Sequence, residues 1–226
     1  MKLTLPPLLS LNAGYVDTAG FLALQGLFTA HVTGNFVTLG AALVLGTTGV
    51  IAKLSALPVF CLVVVLTRLA SRGLFGRGWP ALRLLLGVKL LLLTLGAALA
   101  IHFGPFANGD AWPALATGMV LVAAMAIQNG VHRIHLGSAP PTTLMTGSTT
   151  QIMIDLADLA AGLPAEKRPL VLGRMKRAAI SVGAFALGCA AAALGFAEYG
   201  VWCFTVPPLL ALLALVLRIA EYEKPA

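Results

Sequence analysis

Residues 84–101 read LLLGVKLLLLTLGAALAI, and residues 209–217 read LLALLALVL. Long apolar runs of this kind exclude the strict alternation of a lipid-facing barrel strand. The first is close to the length of about 20 apolar residues that a helix needs to cross a bilayer. Working outward, the whole chain of 226 residues is 59% apolar and only 10% charged, with a mean hydropathy of +0.94. A soluble domain carries about 25% charged residues. So few charges cannot cover a water-facing surface on a chain this long, whereas lipid removes that requirement if every backbone group bonds internally. The fold class expected is therefore an all-α polytopic membrane protein, in one membrane domain over residues 1–226.

The N-terminus resembles a secretion signal in placing Lys2 before an apolar stretch, but no clean small-x-small cleavage site follows. It reads as a retained first span. Cys61, Cys189 and Cys203 are scattered through apolar segments without metal-ligand spacing, so they read as small hydrophobes, with no metal site and no disulfide frame. The formal charge of +7 is placed as a membrane surface would want it. Membrane lipids are the expected partners, with no nucleic acid; a homo-oligomer is compatible with the sequence.

Polar and Pro/Gly punctuation marks apolar segments near 9–30, 32–48, 55–71, 84–102, 113–131, 143–162, 178–196 and 201–218. Two of them are doubtful as crossings. Segment 143–162 carries Thr146, Thr149, Thr150, Gln151, Asp155 and Asp158, and segment 32–48 opens on His31, Thr33 and Asn35. Lys and Arg gather on the cytoplasmic side of short loops. If both doubtful segments dip and return, fourteen of the fifteen basic residues fall on one side, Lys53 being the exception. Asp110 and Glu198 then face out, with Trp112, Tyr199 and Trp202 as an outer aromatic belt. The basic residues flanking 143–162 fix that dip firmly. For 32–48 a crossing stays open, since an outside N-terminus would misplace only Lys2 and Lys53.

Internal likeness bears on that choice. Thr33-Gly34-Asn35 and Thr146-Gly147-Ser148 each open a doubtful segment after a polar break. Upstream, Gly14-Tyr15-Val16-Asp17 falls near Ile127-Gln128-Asn129 with a one-residue gap, and two further apolar spans follow in each half. Each half, about 9–102 and 113–218, is thus span, dip, span, span. Three crossings per half turn the second half upside down, giving six transmembrane helices plus two re-entrant segments in a 3+3 inverted repeat, as in many secondary transporters.

Ala13–Phe21 (AGYVDTAGF), His31–Phe36 (HVTGNF) and Pro141–Ser148 (PTTLMTGS), with Asp155-Leu156, resemble the signature stretches of the YoaK-like bacterial inner-membrane proteins. The resemblance covers nearly the whole chain. It implies a multi-pass protein of the bacterial inner membrane and little chemistry; the charge placement puts both termini on the cytoplasmic side. Ser148 departs from the pattern, standing where Asn is expected by analogy with Asn35.

Irregular backbone at membrane depth must be buried in protein or line water, so the dips imply an interior polar site near the midplane between two half-helix N-termini. Thr33, Asn35, Thr146 and Ser148 are expected to cap those ends, with Gly34 and Gly147 allowing close approach. Ordinary caps in a packed bundle are the plain alternative. Asp17 lies within the first span, where a charge is costly and marks a pathway or a paired site; Gln128 and Asn129 are its neutral counterparts. Asp155 is placed to line an inner vestibule, and His31 to titrate at the first dip. Arg72, Arg77, Arg83 and the Lys167–Arg177 cluster read as lipid anchors.

No zinc, phosphate-loop or serine-elbow motif occurs, so the chain reads as no enzyme, with no catalytic residues and no cofactor. The expected work is transport of a small solute or ion by a secondary transporter or channel; the other reading is a non-transporting membrane scaffold or lipid-interacting protein. Cysteines introduced at Ser138 and Leu163 should react with impermeant reagents from one and the same side, the cytoplasmic one, and opposite-side labelling would remove the second dip.

Overall fold

A computed structural model describes residues 4–222, with side chains as far as residue 217. Lys2 and Lys224, which enter the charge count, lie outside the described residues. Among the described residues every regular element is helical. The helices are α1 (Leu5–Ala23), α2 (Asn35–Leu45), α3 (Val50–Gly76), α4 (Ala81–Phe103), α5 (Trp112–His135), α6 (Met145–Ala160), α7 (Arg168–Tyr199) and α8 (Val206–Tyr222). Short 3-10 turns stand at Val32–Gly34 and Gly200–Thr205.

Four helical stretches are long and apolar enough to cross a membrane: α3, α4, α5 and the run Arg168–Leu217, which the second 3-10 turn divides into α7 and α8. Large apolar side chains stand exposed along them, including Leu62, Leu66 and Leu69 on α3, Leu91 and Leu95 on α4, and Leu187 and Leu194 on α7. Apolar surface this extensive needs lipid or an apolar partner against it.

α1 ends at Ala23 rather than running to residue 30. Gln25 and Gly26 adopt positive φ of 55° and 80°, and the Gly26 N–H closes onto the Phe21 carbonyl at 2.9 Å, a helix ending of the Schellman kind. Polar contacts gather four helix ends here. Lys53 Nζ donates to the carbonyls of Gln25 (2.7 Å) and Thr48 (3.2 Å), and Gln25 Nε2 donates to the Phe106 carbonyl at 2.8 Å. The Asp110 carboxylate accepts from the N–H groups of Gly49, Val50, Ile51 and Ala52 at 2.8–3.2 Å. Desolvation alone would raise the pKa of Asp110, but these four donors outweigh it and hold the group below the ordinary carboxylate value. The carboxylate thereby caps α3 at its positive end.

The C-termini of α1 and α4 and the N-termini of α3 and α5 therefore meet at one end of the bundle. At the other end, Leu5, Leu8 and Leu9 of α1 pack with Leu85 and Leu86 of α4, Ile127 and Val131 of α5, and Ala214 of α8. There also Ser71 of α3 bonds His135 of α5 at 3.0 Å. The cysteines are unpaired; Cys61 is exposed, and only Cys203 is buried.

α1 packs on α7, and α3 on α5; α4 packs on α5, and α8 on α1; α2 lies against α3, and α6 against α7. The α1–α7 seam is the tightest. A Cβ on Gly14 would stand 2.1 Å from the Phe185 carbonyl oxygen, and one on Gly188 would stand 2.1 Å from that of Leu11. Small residues of this kind let helix backbones touch where no hydrophobic force drives helices together. Tyr15 spans the same seam, its hydroxyl donating to the Cys203 carbonyl at 3.1 Å.

Because backbone must move to admit the methyl group, Gly188→Ala should destabilise the fold by about 1–3 kcal/mol or more. Gly183→Ala on the same helix, where a Cβ meets nothing within 4 Å, should be neutral. Thermal melting of the two variants in detergent checks the difference, and equal melting would remove the seam from the account.

Candidate functional site

Beyond Gln25 the chain turns back alongside α1, and Asp17 holds it there. Its Oδ1 accepts from the backbone N–H groups of Thr29 (2.8 Å), Ala30 (2.8 Å) and His31 (3.4 Å), and from the Thr29 hydroxyl at 3.5 Å. All four bonds fall on Oδ1. The residue is 4% exposed and, with His31, Phe28, Phe185 and Cys189, lines a cavity of about 260 Å³. Asp17 lies six residues before the end of α1, so the loop is drawn back by about 9 Å at 1.5 Å per residue.

Asn35 completes the turn. Its amide oxygen accepts from the Phe28 N–H at 2.9 Å and its amide nitrogen donates to the Phe28 carbonyl at 2.8 Å. This differs from a helix cap, and neither α2 nor α6 has a side-chain cap at all. Thr33 and Thr146 are exposed, and the backbone bonds that Asp17 and Asn35 accept fall on the N–H groups of residues 28–31, ahead of the start of α2. Gly34 does allow close approach: its Cβ would meet the Phe28 ring at 3.0 Å.

The loop before α6 is tied to α5 through side-chain hydroxyls instead. Asn129 Oδ1 accepts from the Thr143 hydroxyl at 2.6 Å, and Asn129 Nδ2 donates to the Met125 carbonyl at 3.0 Å. Gln128 Nε2 donates to the Leu9 carbonyl at 2.9 Å and to Thr142 Oγ1 at 3.2 Å. Gly147 and Ser148 line a second cavity of about 320 Å³ with Ser138–Pro141, Gln151, Arg174, Arg177 and Ala178. Asp155 lines neither cavity. It is fully buried, chelated by Arg174 through Nε (2.9 Å) and Nη2 and bonded by Gln151 at 2.8 Å. That is an ion pair tying α6 to α7, in place of the vestibule expected for it. Of the candidate residues, Asp17 and His31 line one cavity and Gly147 and Ser148 the other, and the rest line neither.

Lys89 is the residue that the sequence argument misplaced. Counted there among the basic residues of the cytoplasmic side, it is 0% exposed, and its ammonium donates to Gln128 Oε1 at 2.5 Å. Among the described residues no carboxylate lies within ion-pair distance of it. Its position as the lone charge inside the run 84–101 was the available signal, since such residues face the bundle interior and pair there.

A family described as "Protein of unknown function (DUF1275)" matches this chain over residues 5–217. The chain is 30% identical over 160 residues to UPF0700 transmembrane protein YoaK of Bacillus subtilis (strain 168), an alignment covering 68% of this chain and 67% of that protein. No solved structure matches.

Gln128 answers the buried ammonium, so Gln128→Leu should cost about 3–5 kcal/mol by stranding it. Lys89→Met in the same chain should recover most of that loss. Melting temperatures of the two single variants and the double variant form the cycle, and additive losses would refute the coupling.

Proposed function

The chain belongs to the DUF1275 family and is a YoaK-like membrane protein, and we propose that it moves a small solute or ion across the bacterial inner membrane. In this reading six helices cross (α1, α3, α4, α5, α7 and α8), while the loops leading into α2 and α6 dip and return. The halves form an inverted repeat. Several observations support the arrangement. Gln25 and Lys53, which bracket α2, are hydrogen-bonded to each other, as expected if the segment between them leaves and returns at one face. Exchanging α1–α4 with α5–α8 turns each helix contact pair described above into another of the set. α1 and α5 start at opposite ends of the bundle, as inversion requires. Arg72, Arg77, Arg83 and Arg133 cluster toward the end where α1 begins, which the positive-inside rule makes cytoplasmic.

One observation carries the transport reading. Asp17 is a buried carboxylate that lines a cavity while spending only one oxygen on the loop. A carboxylate kept solely to satisfy backbone N–H groups would need no cavity beside it, and an intramembrane acid next to open space marks a cargo or proton path. His31 lines the same cavity and adds a polar ring to its wall.

The test separates the two roles of Asp17. Asn can accept the same three backbone bonds, so Asp17→Asn should melt close to the wild type. Asp17→Ala strands those donors and should lose about 2–5 kcal/mol, at roughly 1–3 kcal/mol for each well-bonded group left unsatisfied. Solutes that raise the melting temperature of the wild type are then assayed for uptake into proteoliposomes. Uptake by the wild type that Asp17→Asn abolishes is the expected result; uptake unaffected by Asp17→Asn would make the carboxylate structural only.

A further inference from the structure

The cavity at the start of α6 is built for something the Asp17 pocket is not. We propose that it binds a small phosphate-like oxyanion, coordinated by Ser148, Arg177 and the first N–H groups of α6. The proposal is independent of the transport reading, because it rests on the other half-helix and on different side chains.

Four observations converge on it. α6 is a helix of 16 residues whose N-terminus has no side-chain cap, so its leading N–H groups and the positive end of its dipole are available to an anion. Ser148, in that first turn, is 5% exposed, and its hydroxyl has no hydrogen-bond partner. A hydroxyl buried in that state is uncommon and calls for an unseen partner. Two guanidinium groups border the same cavity, those of Arg174 and Arg177. Gly147 also lines it, and a Cβ there would meet nothing within 4 Å, so the space in front of the helix terminus is open.

Charge decides the sign of the ligand. Arg174 is committed through Nε and Nη2 to Asp155, which cancels most of its charge but fixes the plane of its fork and leaves Nη1 to donate. Arg177 makes no ion pair among the described residues, so it and the helix terminus supply the net positive potential. A cationic ligand would find no carboxylate among the lining residues. An oxyanion finds a hydroxyl, a fork that can bind in a bidentate way and a helix N-terminus. That chemistry fits a free phosphate or the phosphate of an anionic phospholipid headgroup.

The experiment uses the full chain purified in neutral detergent, with ionic strength held constant by chloride. Inorganic phosphate should raise the melting temperature of the wild type along a saturating curve. Arg177→Gln should weaken that response about tenfold and Ser148→Ala about threefold, the sizes expected for a charge-assisted hydrogen bond and a weaker one. Gly147→Val should abolish it by filling the space. If the phosphate belongs to a lipid, free phosphate will be inert in all four proteins. Phosphatidylglycerol from phosphatidylcholine–phosphatidylglycerol nanodiscs will then stay bound to the wild type in native mass spectrometry and be lost from Arg177→Gln and Gly147→Val. Should Gly147→Val fail to fold, the other two variants decide, since the Ser148 hydroxyl bonds nothing in the fold. The proposal is overturned if neither phosphate nor phosphatidylglycerol distinguishes the wild type from these variants.

Discussion

A buried backbone N–H must find an acceptor, and in this protein the carboxylate of Asp17 is that acceptor for three in succession. Everything distinctive in the first half follows. Without it, the chain after Gln25 could not run back alongside α1, because the cost of stranding its peptide groups would exceed anything its apolar side chains return. With it, the loop is held against α1, and the 3-10 turn at Val32–Gly34 leads from there into α2. Asn35 then fixes both polar groups of Phe28, and the aromatic ring of Phe28 packs against that of Phe21 at 4.9 Å between centroids. A polar anchor and an aromatic plug together hold open a cavity that neither would create alone.

The anchor depends in turn on the seam beside it. Asp17 is three residues from Gly14, and Cys189, which lines its cavity, is one residue from Gly188. The contact of 2.1 Å that a Cβ at either glycine would make means that α1 and α7 meet backbone to backbone just below the cavity. The same helix α7 borders both cavities, through Arg174 and Arg177 at one and Phe185 and Cys189 at the other. Between them lies the glycine seam. A seam of this kind, made by backbone contact between small residues, fixes how closely α1 and α7 approach.

How much of this the sequence displayed varies from residue to residue, and the reasons are physical. The membrane class was legible because it is a property of composition. Asp17 was legible because a lone acid in an apolar span has few places to go; its meeting with the first loop follows from the need for a donor. Thr33 and Thr146 were legible as markers of the two breaks, yet their expected capping role is absent: both side chains are exposed, and neither helix start has a side-chain cap. Lys89 was misread because a charge count treats every basic residue as a surface residue and cannot tell an anchor from a lysine turned inward toward Gln128. The pairing of Asp155 with Arg174 was hidden as well: the two are nineteen residues apart, and only the antiparallel packing of α6 on α7 brings them together.

The difference between Asn35 and Ser148 connects these threads. Under the proposed repeat, Phe28 of the first loop corresponds to Pro141 of the second. An Asn clamp needs both an N–H and a carbonyl on its target, and Pro141 has no N–H to give. An Asn at position 148 would therefore leave half of its amide unsatisfied in a buried place, whereas Ser leaves one small hydroxyl. The ring that fills the space at Gly34 has no counterpart at Gly147, where a Cβ meets nothing. One half-helix thus follows a clamped loop beside an acid, and the other starts at a cavity bordered by arginines. Under the proposed repeat, corresponding helix starts have an acid beside one and arginines beside the other, so an oxyanion suited to the second cavity is disfavoured at the first.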